Sequence, residues 1–353
     1  MRRALVSTIL LLTIITTMPL KAESKGEEMV DKKRTSPLLD KPSFNIRISC
    51  EGAAATIAVN GVDAYMHDSL APLEMEKPVN NLIADGENEL QIVMLNPATG
   101  LTPDSVCSVT LFVRRFNDFE NPPQDIVTLR YRHGVKEPLK GTTRAGRYDS
   151  TQGFREDEKR GDVKVGSASF RVLRKGVAGT KYKGMVLATL KFHMPAPFPR
   201  WKFLDAPKVF DKTYEEHSKE ELLDLMLHDP KLAKLYEVNH ALYRALKEKD
   251  MDRVMSFFKE RNDETDIAFY SKPGSTEKKL REALIEALND KEQALDTITW
   301  DNKKTLYFSV DIGRALAGVQ GMIVFNSIGY PGSHTFYTKF RWDEKRQTWI
   351  LTR

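Results

Sequence analysis

Cys50 and Cys107 are the only cysteines of the chain, and neither has a histidine close by in sequence. A thiol nucleophile or a zinc site therefore has little support, and an even count in an exported chain invites a disulfide, with two buried thiols as the alternative. Each lies beside an apolar, strand-like segment, so the bridge is expected between neighbouring strands. Closing a loop of about 57 residues would restrict the denatured chain by roughly 4 kcal/mol. The seven histidines are scattered. His217 and His228, near Glu215, Glu216, Asp224 and Asp229, read as a solvated charged face. His240 falls in an amphipathic run and reads as half-buried. His334 would be a base only if its strand came close to Asp311. Asn117, Asp118, Glu120, Asn121 and Asp125 surround Pro122-Pro123 and carry oxygens suited to calcium. They lack the glycine and closing glutamate of an EF-hand and read as a polar turn. The chain has no G-x-S-x-G, H-E-x-x-H, P-loop or dinucleotide fingerprint. No catalytic residue, metal ligand or cofactor is assigned.

Aromatic side chains make the stronger case, and it is a case for contact. Phe336, Tyr337, Phe340, Trp342 and Trp349 concentrate on the last hairpin. A period of two puts Phe336, Phe340 and Trp342 on one face and Tyr337 on the other. One set should be core and the other a contact surface. The tip Gly329-Tyr330-Pro331-Gly332-Ser333 offers Tyr330 on a loop. Tyr330, Tyr337 and Trp342, with Tyr148 and Phe154 from a charged segment described below, are the candidate binding residues.

These residues must be positioned outside the cytosol. Met1-Arg2-Arg3, an apolar run from Ala4 to Met18, and Ala22 before a polar stretch read as a cleavable signal peptide over residues 1–22. The expected location is the periplasm. Glu23, not a cysteine, follows the cut, so a lipid anchor is not expected. Leu20 is larger than a peptidase prefers, which leaves an uncleaved anchor as the alternative. The formal charge of +5 loses Arg2, Arg3 and Lys21 with that peptide, leaving about +2. Lys and Arg are interspersed with Asp and Glu, so a nucleic-acid partner is not expected. No further apolar run is long enough for a membrane span.

Two cores fit the remaining length. Residues 23–42 read as a mobile leader. Phe44, Ile46, Ile48 and Cys50 alternate with polar residues, and Ala54–Val59 runs into Asn60-Gly61, a hairpin signal. Further strands are expected at 89–95, 106–116, 125–131, 167–173 and 185–193, giving an all-β sandwich over 43–194. Residues 132–166 are charged, hold few large apolar side chains besides Tyr148 and Phe154, and read as a projecting loop. Pro195, Pro197, Pro199 and Pro207 mark a linker over 195–213. An α+β domain follows over 214–353. Ser218 and Glu221 form a capping box for a short helix ended by Pro230. Helical spacing recurs from Leu235 to Ala245, from Met251 to Phe258 after the cap Asp250, and from Leu280 to Leu288 after Ser275. Strands are expected at 305–310, 318–325, 334–342 and 348–352, packed as a curved antiparallel sheet.

Two segments resemble known groups. Ile57–Tyr65 with its "VNG", Pro78–Ile83, and Asp85–Val93 with its "G-E-N-E-L" look like galactose-binding-like jelly-roll modules. There Gly86 would permit a turn, Asn88 would hold the loop backbone, and Leu90 and Ile92 would return to the core. The run Asn239–Phe258, closed by the final "TWILTR", is similar to the cone-shaped NTF2-like group, with an irregular middle. In overall character the chain resembles immunity proteins that neutralise antibacterial effectors in the periplasm, such as those of type VI secretion systems. The expected function is therefore non-enzymatic binding of another protein, a toxic effector. The alternatives are a glycan- or envelope-binding module, and a small-molecule enzyme or binder using an NTF2-like cavity around His334 and Asp311.

Overall fold

The computed structural model describes residues 41–353 except 97–99, 118–122, 136–138, 144–147, 150–152, 155–162, 175–184, 210–227, 297–306, 312, 314, 321–322 and 329–332. The expected signal peptide and nearly all of the expected leader lie outside the described residues. So does the Ser218–Glu221 capping box.

The first half runs through β1 (Pro42–Glu51), β2 (Ala54–Val59), β3 (Val62–His67), β4 (Leu73–Pro78), β5 (Gly86–Leu95) and β6 (Val106–Arg115). It continues through β7 (Gln124–Arg132), β8 (Leu139–Thr143), β9 (Tyr148–Asp149), β10 (Gly153–Phe154), β11 (Lys164–Arg174) and β12 (Met185–Met194). Two five-stranded antiparallel sheets result, ordered β4-β1-β6-β7-β8 and β11-β12-β5-β2-β3. Alternation in the sequence decides which side chains go inward. In β1, Phe44, Ile46, Ile48 and Cys50 are buried while their neighbours stay partly exposed. They join Val109 and Leu129 of the same sheet, and Ile57, Leu90, Ile92 and Leu190 of the other, in one apolar cluster. Cys50 stands directly opposite Cys107 across the β1/β6 ladder, and the two form a disulfide.

Segment 132–166 is more structured than its composition suggests. β8 pairs with β7, with Leu139 opposite Tyr131, and β9 and β10 form a small ribbon. Backbone pairing needs no apolar side chains, so a charged stretch can still extend a sheet edge.

The second half begins with three helices, α1 (Pro230–Lys247), α2 (Met251–Ala268) and α3 (Ser275–Asn289). The helical residue His228 is followed by a break at Asp229, so a helix stops before Pro230 as expected, and Pro230 also opens α1: Asp229 accepts from the Lys231 and Leu232 backbone N–H groups, and proline suits the first helical position. Asp250 caps α2 through the Arg253 N–H, as its position suggested. The cap of α3 is not local. Gly274 sits at the N-cap, and Asp266 of α2 accepts from Thr276 through both its N–H (2.9 Å) and its hydroxyl (2.6 Å).

The strands that follow are β13 (Gln293–Asp296), β14 (Tyr307–Val310), β15 (Leu316–Gln320), β16 (Val324–Ser327), β17 (Ser333–Thr335), β18 (Phe340–Asp343) and β19 (Thr348–Leu351). They form two antiparallel sheets, β13-β16-β17 and β14-β15-β18-β19. The single strands expected at 318–325 and 334–342 are thus each divided between two sheets. Between β17 and β18 the Phe336 N–H still reaches Ile323 O and the Lys339 backbone pairs with Thr352 and Arg353, while the Thr338 hydroxyl and the Lys339 ammonium turn to Asn239 and Asp311. Leu235, Leu242, Val254, Phe258, Leu280 and Leu284 of the helices pack with Phe325, Phe340, Trp342 and Trp349 in a second apolar cluster. The chain is therefore β-rich, with several antiparallel sheets and a helical part.

Candidate functional site

The two clusters meet along a polar seam that begins at the β2–β3 turn. Asn60 and Gly61 take φ of 54° and 79°, as a tight two-residue hairpin requires. The Asn60 amide donates to Leu82 O and to Asn88 Oδ1, and its own oxygen accepts from the Glu89 N–H. Asn88 in turn bonds Ala84 through both backbone groups. The turn so fixed presses on the second half. Gly313 donates its N–H to Gly61 O at 2.9 Å, and a Cβ on Gly61 would lie 2.6 Å from Gly313 Cα.

Buried charges hold the rest of the seam. Glu264 pairs with Arg353, which also donates to Asn81 O and lies over the Phe203 ring at 4.1 Å. Glu260 accepts from Arg341 at 2.7 and 2.6 Å and from Lys202 at 3.2 Å. Burial pushes its carboxyl up, but the bonds and charge of Arg341, with Lys202, bring it below the usual value. Burial, then the charge of Arg353, pushes the Arg261 guanidinium down to about 10. Asp311, fully buried, accepts from the Lys339 ammonium and from the Asp63 N–H. The proline-rich connector is packed down as well: Phe198, Trp201 and Phe203 belong to the first cluster, and Trp201 Nε1 donates to Ile83 O at 2.7 Å.

Beside this seam lies a cleft of about 460 Å³. Its floor is the outer face of the β11-β12-β5 part of the second sheet. Register puts Ser169, Thr189 and Gln91 in one row and Lys191 opposite Glu89 in the next. Their chain neighbours Leu90, Ile92 and Leu190 point into the core, so period two turns this polar set outward. Phe203, Leu204, Ala206 and Lys208 of the connector, with Gly313, Ala315 and Leu316, form the walls. Burial raises the Glu89 carboxyl, against the pull of Lys191 and Lys208. Gln91 is 6% exposed, and its Oε1 has no hydrogen-bond partner. Sequence reasoning passed over these residues. Their alternation was visible, but the pairing of β12 with β5 that gathers them was not.

The candidate binding residues are dispersed. Tyr337 is 59% exposed. Trp342 requires a correction: at 1% exposed it is core, edge-on to Trp349 at 5.5 Å and capped by the Lys231 ammonium at 5.0 Å. Tyr148 and Phe154 stand opposite each other in the β9/β10 ribbon. Tyr330 lies outside the described residues. His334 is in β17, opposite Phe325, whereas Asp311 follows β14 of the other sheet. His240 stacks on Tyr243, and His217 lies outside the described residues. Of the oxygen-bearing cluster, Asn117 adopts a positive φ in a turn and Asp125 lies 3.4 Å from Arg47, while residues 118–122 lie outside the described residues. Among the described residues no group of three or more His, Cys, Asp or Glu is arranged to hold a metal. Nor, among them, is any helix long and apolar enough to cross a membrane. No protein-family model matches this chain, and no curated protein matches it.

Proposed function

We propose that the chain is an exported binding protein that acts by contact with another protein, neutralising an antibacterial effector in the periplasm. In this reading residues 1–22 are a cleaved signal peptide, residues 43–194 a jelly-roll-like sandwich, and residues 214–353 an NTF2-like α+β domain. The observation that carries it is the rim of the β16–β17 hairpin. Tyr337 and Ile328 flank that hairpin as exposed large side chains, while Phe336 packs edge-on against Phe258 at 5.8 Å. Exposed aromatic anchors beside a rigid core are the usual basis of tight protein contact. The seam supports the same reading, since it holds both halves in a fixed relation and so presents one continuous surface.

Co-expression with candidate toxins encoded beside its gene tests this. A stable complex and protection of a sensitive cell are expected, with Tyr337→Ala weakening the complex about tenfold or more and leaving stability unchanged. Absence of both complex and protection removes the proposal.

A further inference from the structure

We infer that Arg261 is the anchor for an acidic side chain of the partner protein, which reaches it on the surface that also carries Tyr337. This rests on the protein-contact reading above and adds the charge that the partner must present. Arg261 lies on α2 and is only partly exposed, with its guanidinium over the Phe258 ring at 5.8 Å. It makes one hydrogen bond, from Nη1 to Asn262 Oδ1 at 3.1 Å, and among the described residues it forms no ion pair. The acids around it on the helix are engaged elsewhere. Glu260 takes Arg341 and Lys202, Asp263 takes Lys259, Glu264 takes Arg353, and Asp266 holds Thr276. The charge that does act on Arg261 is that of Arg353, which repels it.

Such a cation is costly to keep, because a partly desolvated charge without a counter-charge is a net loss to the fold. Burial and Arg353 together hold its pKa down at about 10. A carboxylate delivered from outside would restore the balance. Among the described residues the Nε and Nη2 groups donate to nothing, and that edge of the guanidinium is the fork a carboxylate meets in two parallel bonds. The surroundings make the donor a protein. Phe258 carries Arg261 over its ring and meets Phe336 edge-on at 5.8 Å, and the next residue, Tyr337, is 59% exposed. Tyrosine and arginine beside one rigid aromatic pair are the residue types that dominate protein contacts. A small anion would use the arginine and leave the tyrosine uncovered.

Affinity measurements on complexes with the toxins encoded beside the gene, joined to urea unfolding of the same variants, test this. Arg261→Met should weaken the complex about tenfold or more, while its urea midpoint equals or exceeds that of the wild type because an uncompensated charge has gone. Arg261→Lys keeps the charge and loses the fork, so its affinity should fall between the two. Arg261→Gln takes the place of Arg261→Met if that variant folds poorly. A complex that Tyr337→Ala weakens but both neutral variants bind at wild-type affinity overturns the proposal and spares the contact reading. A lowered midpoint in both neutral variants would make Arg261 a structural residue and overturns it too. If no candidate toxin forms a complex with the wild type, the contact reading and this proposal fall together.

Discussion

Glu264 and Arg353 meet at 2.7 Å with side chains only 9% and 8% exposed, joining α2 to the end of the last strand beside the 3₁₀ turn at Asn80–Leu82. Burial pulls the Arg353 guanidinium below its usual range even though Glu264 opposes it, so the pair gives up much of its attraction to desolvation. Removing one partner strands the other. Arg353→Met or Glu264→Leu alone should destabilise the protein by about 3–5 kcal/mol, and the double replacement by less than either single change. Urea unfolding of the three variants decides this. A double variant equal to the sum of the singles would mean that the two side chains act independently.

The Glu260 carboxyl titrates in the opposite sense from that of an isolated buried acid. Its folded pKa lies below the ordinary value of 4.5, because bonds and charge from Arg341 and Lys202 outweigh burial. A depressed pKa means the unfolded chain binds the proton first as pH falls. The stabilisation is therefore complete above about pH 5 and is lost as the pH drops through the folded pKa. Glu260→Gln should lower the urea midpoint at pH 7 and flatten its fall between about pH 5 and 3. Parallel slopes for the two proteins would contradict this assignment.

Gly313 carries a steric prediction free of backbone strain, since only its partner Gly61 has a positive φ. A Cβ at position 313 would stand 2.9 Å from Gly61 Cα and 3.1 Å from Gly61 O, both backbone atoms that cannot rotate away. Gly313→Ala should therefore push the hairpin tip off the second half. An overpacking loss of about 1–3 kcal/mol is expected, with faster proteolysis in the connector. Unchanged proteolysis would show that the contact does not hold the halves together.

What the sequence made legible was local. Alternation assigned the inner face of β1, the jelly-roll resemblance implied that Leu90 and Ile92 of β5 return to the core, and the Asn60-Gly61 and Asp250 signals named a turn and a cap that the structure contains. Asn88 holds the loop backbone as its motif suggested. What stayed hidden depends on pairings distant in the chain. Asp311 would partner His334 only if their strands paired; they lie in different sheets, and Asp311 serves Lys339 and Asp63, the latter 248 residues away. Trp342 looked like a contact residue because aromatic density does not reveal which face a helix covers, and α1 supplies Lys231 and Lys234 over its ring. The cleft stayed invisible for the same reason. Its floor comes from three strands whose order, β11-β12-β5, is not their order in the sequence.

The disulfide has a topological consequence beyond its loop length. Cys50 and Cys107 sit on adjacent strands of one sheet, but the 57-residue interval between them contains β2, β3 and β5, three of the five strands of the other sheet. Oxidation thus fixes both ends of the excursion that builds the second sheet, and the denatured chain keeps that excursion closed. Chain entropy alone gives roughly 4 kcal/mol for such a loop. The paired Cys50→Ala and Cys107→Ala variant should lose stability on that order, and reductant should lower the urea midpoint of the wild type while leaving the variant unmoved. The β11-β12 edge lies outside the closed loop. Hydrogen exchange in the variant should therefore rise more in β2, β3 and β5 than in β11, and a uniform rise across both sheets would show that the bridge acts on the fold as a whole.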